Sequence, residues 1–356
     1  MSDTSWRAFF IYGSTFPGVT AQDLVSGLKG TYRKRGGRNH CKFLKGLENG
    51  KGEILGNRIL DICEERRIHC VSFLHPSYPE ALRLPGSSPP VLFYRGDITL
   101  LTKLSGAVIG SRKPTVQGLQ FCSRISTDLA RYEVVVVSGF ARGIDSCAHR
   151  SALKGGGTTV AVLGSGLDIV YPPENEDLYR EIDERGCIIS RFPPGTKPFR
   201  SNFPIRNMII AAISEFTAVI EAAGRSGSLI TARHALEMGK DVFSVPGSPL
   251  YPQSEGVNTL IKNGATPLTS IDDIVQNFGF STENKKRGRS GKPTVSEKNL
   301  AEPEKKVYEH VRGAVTIDDL VATTGLNVKV VTSSLLTLEL TGHLTRGDDG
   351  YYFRKA

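Results

Sequence analysis

From Leu104 to about residue 279 the chain repeats one unit: a short apolar run, a glycine, then a helix with an apolar stripe. The segment RYEVVVVSGFARGIDSCAHRSAL, Arg131 to Leu153, shows the unit most compactly. Four consecutive valines read as a strand buried on both faces, as in a parallel sheet. The glycines after them turn the strand straight into a helix, a geometry that presents backbone N–H groups to an anion. The alternation recurs in GAVIGS followed by QGLQFCSRISTDLARY, in TTVAVLGSG followed by NEDLYREIDERG, and in CIISRF followed by RNMIIAAIS. FTAVIEA, SLITARHALEMG and DVFSVPG complete it. This order predicts βαβ units in an α/β fold, an extended Rossmann-like, doubly wound and mostly parallel sheet. Glycines at 110, 139, 164, 166, 224 and 247 end the strands and line the edge where ligands bind in such sheets.

The 356 residues suggest two or three domains at about 150 residues each. Ahead of the repeat, Ala21 to about Leu28 and Asn57–Arg67 have helical spacing. HPSYPEALRLPGSSPPVLFYRGD reads as a proline-rich connector that ends in a short strand, VLFYR. Residues 280–303 are polar and basic and read as a flexible linker. Residues 304–356 read as helix, helix-turn-helix and hairpin, a winged-helix domain.

Net charge is +9. Residues 1–100 contribute +5 of it, the linker +3, the repeat region +1, and the last 53 residues nothing. A positive excess favours polyanionic partners. TYRKRGGRNHCKFLK, residues 31–45, has six basic residues and no acid, and fits either a solvated loop or an accessory phosphate-contacting patch. The apolar runs are of strand length, so no membrane partner is expected. The N-terminus lacks a basic region ahead of its apolar stretch, unlike a signal peptide. Six scattered cysteines predict reduced thiols and a cytoplasmic location. The set Cys41, Cys63, His69, Cys70 and His75 fits no usual zinc spacing, so no metal is expected.

Three strand-end loops carry anion donors. Gly110, Ser111, Arg112 and Lys113 form the first, and Ser138, Gly139, Ala141, Arg142 and Gly143 the second. Arg225, Ser226, Gly227 and Ser228 form the third, ahead of a helix. A fourth stretch, RFPPGTKPFRSNFPIRN (191–207), has four basic groups, no acid, and three interleaved phenylalanines. Basic groups track a sugar-phosphate backbone and aromatic faces stack unpaired bases, which favours a single strand. The same phenylalanines fit a core role equally well. Asp145 and His149 suit a helix cap and a loop brace better than an acid–base pair. VLGSGLDIV lacks the third glycine and the later acid of a dinucleotide site. No P-loop and no nucleophile elbow is present, so no cofactor is expected.

GSRKPT, SGFARGIDSCAH, TVAVLGSGLDIVYPPEN, FPIRN and EAAGRSGSLITARHALEMGKDVFSVPGS stand in order, and the chain resembles the DNA-processing protein A family (DprA, also called Smf) over about residues 76–279. The resemblance implies a core at 76–279 that binds single-stranded DNA, forms a homodimer and catalyses nothing. It implies a small, mainly helical N-terminal domain at 1–75 and fits the winged helix. It also implies RecA as a partner in recombination and natural transformation, with a single-strand-binding protein as a further one. The family's G-S-R arginine maps to Arg112. Its basic and aromatic residues map to Lys197, Phe199 and Arg200, and its F-P-x-R-N motif to Arg206 and Asn207. The chain departs from the family pattern at Met208, Arg191 and Pro173.

Two other functions compete. A phosphoribohydrolase-like enzyme needs a glutamate after its glycine loop, and EAAGRSGSLITA has no acid after the loop until Glu237. A ligand-sensing transcription factor needs a basic recognition helix, and Asn327–Leu340 holds one cation, Lys329, and one acid, Glu339.

Overall fold

The computed structural model describes residues 10–15, 19–28, 51–84, 87–278, 301–311, 315–340, 343–346 and 352–354. The basic stretch 31–45 and the linker cations Lys285, Lys286, Arg287 and Arg289 lie outside them. The chain divides into two compact units, Met1–Lys286 and Arg287–Ala356.

In the first unit the elements run α1 (Ala21–Leu28), α2 (Lys51–Glu65), β1 (His69–Ser72), β2 (Val91–Gly96), β3 (Ser105–Ile109) and α3 (Val116–Arg131). They continue with β4 (Val135–Ser138), α4 (Ile144–Lys154), β5 (Thr159–Val162), α5 (Glu176–Arg185), β6 (Cys187–Ser190) and α6 (Asn202–Ile213). Then come β7 (Phe216–Val219), α7 (Ser228–Glu237), β8 (Asp241–Ser244), α8 (Glu255–Lys262), β9 (Thr266–Pro267) and α9 (Ile271–Phe278).

Nine strands form one sheet in the order β1-β2-β6-β5-β4-β3-β7-β8-β9. β1 and β2 are antiparallel to each other, and β2 is antiparallel to β6. All other pairs are parallel. The chain winds outward from β3 to β6, then returns to lay β7 on the other side of β3. The reversal opens a crevice at the carboxyl ends of β3 and β7, the ligand position in such sheets.

Period-two alternation packs both faces. Val135 and Val137 of β4 join a core with Ile209 and Ile210 of α6. Val134 and Val136 join the opposite core with Ile125 and Leu129 of α3 and Ala148 of α4. Among the described residues the N-terminal segment forms no core separate from the sheet. Phe10, Ile11, Ile59 and Cys63 are buried against Phe93, Ala161 and Ile188 of the sheet. The boundary expected at residue 75 therefore falls between two paired strands, β1 and β2. The VLFYR strand expected to end a connector is an interior strand of the sheet.

The second unit has α10 (Glu302–His310), α11 (Ile317–Thr324), α12 (Val328–Leu340), and the hairpin of β10 (Leu344–Arg346) with β11 (Tyr352–Arg354). Val307, Leu320, Val331, Leu335, Leu338 and Leu344 form its separate core. Thr316 caps α11 by accepting from the Asp319 N–H, and Asp319 accepts from the Thr316 N–H in return. Among the described residues no single helix is long and apolar enough to cross a membrane.

Candidate nucleic-acid interface

The loop after β4 is tightly constrained. Phe140 adopts a left-handed backbone at φ 59°, sparsely populated for a residue with a side chain. Its ring is fully buried, edge-on to Tyr179 with 6.1 Å between centroids. Its carbonyl accepts from Asn175 Nδ2 at 3.2 Å. Gly143, at φ 76°, lets the neighbouring loop approach: a Cβ there would overlap the Ser111 carbonyl oxygen. One amide of the loop and the first of the helix after it turn inward. Ala141 N–H donates to Asp145 at 3.3 Å, and Ile144 N–H donates to the Ser111 carbonyl at 3.1 Å. The Ile144 N–H thus anchors the 110–113 loop, and neither of these two donors is offered to a ligand. Ser138 is also turned inward, its hydroxyl donating to the Val108 carbonyl at 2.7 Å.

Beneath these loops lie two buried groups of opposite charge, Arg206 and Asp145. Arg206 is 3% exposed. Its guanidinium donates to the carbonyls of Gly139 and Val162 and, through Nε, to Asn207 Oδ1 at 3.1 Å. It ties the ends of β4 and β5 to α6, so the F-P-x-R-N arginine is a positioning group and not a surface cation. Burial pulls its pKa down to about 10, with Asp145 opposing and Arg112 adding to the fall. Burial raises the Asp145 pKa, opposed first by Arg206. Asp145 does not cap α4, whose N-cap is Gly143 with no side-chain bond. It clamps the loop, and Gly139 is glycine because a Cβ would run into both Arg206 and Asp145. His149 backs the loop from inside, its ring centroid 6.2 Å from that of Phe140. Its Nδ1 lies 2.6 Å from Thr159 Oγ1 on β5, and burial drives its pKa down to about 3.

Above the pair an open cleft of about 900 Å³ spans the strand ends. Arg112 and Lys113 enter it from the β3 loop, Arg200 from the loop before α6, and Arg225 from the β7 loop. All four are exposed, and among the described residues none is in an ion pair. Asp145 is the one carboxylate in the lining, and it already faces Arg206. Gly227 caps α7 with no side-chain bond, so that helix presents its positive end beside Ser226 and Ser228. Asn207 Nδ2 donates to the Gly227 carbonyl at 3.2 Å and fixes that turn. The start of α3 is closed, because Glu221 accepts from Thr115 N–H at 3.0 Å and from its hydroxyl at 2.7 Å.

The three phenylalanines of the 191–207 stretch divide. Phe192 is buried, Phe199 is 59% exposed, and Phe203 is partly buried in the cleft wall. The Arg112 guanidinium stands 5.3 Å from the Phe203 ring, and Tyr171 packs 6.2 Å from it. Phe203 is one of the three phenylalanines that fit base stacking or core equally well, and Tyr171 is an addition to the site. The interleaving of aromatic with basic residues signalled Phe203, but nothing local signalled Tyr171. Gly110 and Ala141 line the cleft, whereas Lys197 and Phe199 lie outside it. Arg142 sits at the rim and pairs with Glu174.

The family model for DNA recombination-mediator protein A matches residues 69–279, and that for the DprA winged helix domain matches residues 291–350. The chain is 42% identical to the DNA processing protein DprA of Streptococcus pneumoniae, over 69% of this chain and 96% of that one. It is 36% identical to Protein Smf of a Synechocystis species, over 79% and 78%. The X-ray structure of the S. pneumoniae protein superposes with a TM-score of 0.65 at 34% identity, covering 76% of this chain and 97% of that one. A Helicobacter pylori DNA processing protein A, described for its single-stranded DNA binding mode, superposes at 0.53 with 29% identity, over 59% and 95%.

Proposed function

The chain belongs to the DNA recombination-mediator protein A (DprA/Smf) family, and on that premise we propose that it binds single-stranded DNA in the strand-end cleft. The observation that carries this reading is the set Arg112, Lys113, Arg200 and Arg225, four cations without counter-charges around one open cleft. Phosphates neutralise the cations and the α7 terminus, while the Phe203 and Tyr171 faces suit unpaired bases. The cleft is open, as a backbone running through it requires. In the cell the protein acts in the cytoplasm as a homodimer through its sheet domain. It protects exposed or incoming strands and passes them to the RecA recombinase, notably in natural transformation, alongside a single-strand-binding protein.

The role is non-catalytic. A phosphoribohydrolase-like reaction needs a carboxylate facing the cleft. Asp145 is buried, accepts from the Ala141 N–H and is influenced by the Arg206 charge, and Glu237 lies near the end of α7 beside His234. The test is fluorescence anisotropy with labelled oligo-dT, a duplex of equal length and competing mononucleotides across a salt series. Oligo-dT binds most tightly, with a slope of about −0.7 per phosphate neutralised. Arg112→Ala lowers the affinity about tenfold or more, losing one phosphate contact and the cover over Phe203. Turnover of a mononucleotide with no oligo-dT binding would establish the enzyme instead.

A further inference from the structure

The loop bearing Lys197 to Arg200 separates the strand-end cleft from a second open groove of about 790 Å³. Leu55 and Ile62 of α2 form one wall and Met208 of α6 another. Two guanidiniums face it, Arg58 from α2 and Arg191 from the loop after β6. Among the described residues neither has an ion pair or a hydrogen bond, and no carboxylate lines the groove. Arg191 is partly buried, 5.9 Å from the Phe192 ring, and burial pulls its pKa below the usual arginine range. A cation held in apolar surroundings without a counter-ion is costly, and an arriving anion relieves that cost. Apolar walls beside two unpaired guanidiniums suit a ligand with flat apolar faces and a spaced negative charge.

We propose that this groove is a second seat for single-stranded DNA, taking the stretch that leaves the strand-end cleft across Phe199. The proposal rests on the single-strand reading of the cleft. Continuity favours DNA over an acidic peptide. Arg200 lines the cleft and its neighbour Phe199, well exposed, lines the groove. A strand leaving Arg200 therefore meets the Phe199 face and then the two arginines. Arg191 and Met208, two positions where the chain departs from the family pattern, both face this groove.

The test uses the full chain and two labelled oligo-dT probes, of about 6 and about 16 nucleotides, bracketing the usual range of single-strand site sizes. Arg58→Glu and Arg191→Gln are compared with wild type across a salt series. Arg58 is exposed on a helix, so its variant stays folded even where Arg191→Gln does not, and circular dichroism checks both. Each variant weakens binding of the longer probe about tenfold and lowers its salt slope by about 0.7, leaving the shorter probe unchanged. Equal loss on both probes, or no loss on either, overturns the proposal. So does capture of a labelled acidic peptide ending in phenylalanine that Arg58→Glu abolishes while DNA binding stays intact. Failure of the wild type to bind either probe removes the single-strand reading itself, and the second seat with it.

Discussion

Arg206 and Asp145 share a pocket shielded from water, and each makes the other's charge tolerable. Arg206→Met removes two carbonyl contacts and leaves Asp145 buried without its cation. Leaving two buried carbonyls unsatisfied costs about 1–3 kcal/mol apiece, so chemical denaturation should show a loss of that order. His149 is the complementary case, a buried histidine kept neutral. Its folded pKa of about 3 lies below the ordinary 6.5, so at pH between those values the unfolded chain binds the proton that the folded chain refuses. The stability it supports is complete above 6.5 and drains as pH falls toward 3. The slope is up to about 1.4 kcal/mol per pH unit. His149→Asn removes the titrating ring, and denaturation at stepped pH should show a flatter acid limb than wild type. Neither residue's direction was legible in the sequence. FPIRN announces a cation, and only the return of α6 under β4 and β5 decides that it points inward.

The loops are rigid because each is built against another. Gly143→Ala places a methyl group where the Ser111 carbonyl sits, in a backbone conformation that penalises any Cβ. It should lower stability by about 1–3 kcal/mol. It should also weaken oligo-dT binding by displacing Arg112, read by thermal melting and anisotropy on the same preparation. The elements themselves were readable. The runs GAVIGS, VVVV, TTVAVLGSG and FTAVIEA are the strands β3, β4, β5 and β7, because apolar runs bounded by glycines leave little else to form. The cleft residues on three loops follow from that alternation and the sheet edge it creates. Several features escaped, α8, β9 and α9 among them. β1 was not foreseen, because HCVS is too short to show a period and pairs with a partner about twenty residues away. The boundary at residue 75 rests on the family resemblance and a proline-rich stretch, neither of which registers the burial of Phe10 and Ile59 against β2, β5 and β6. The loop amides were expected on an anion, and local sequence cannot tell a free N–H from one used by Asp145.

Two units with separate cores divide the work of the molecule. All four unpaired cations of the cleft belong to the first unit. The second carries a winged helix whose α12 exposes Lys329, Thr332, Ser333, Leu336 and Glu339. A helix that reads a major groove brings several hydrogen-bonding or cationic side chains to base edges and phosphates. This face offers one cation offset by one acid, with Val328 and Leu336 more than half exposed between them. Its chemistry suits a protein surface better than a duplex. The decisive comparison is a chain ending at residue 303, which keeps the basic segment and removes only the neutral stretch 304–356. Oligo-dT and duplex affinities should both match those of the full chain across the salt series, because no phosphate-binding charge has been lost. A fall in duplex affinity alone would show that α12 reads duplex DNA despite its charge. A fall in single-strand affinity with an unchanged salt slope would place apolar contacts to bases on that helix, since counterion release would be unaltered while binding weakened.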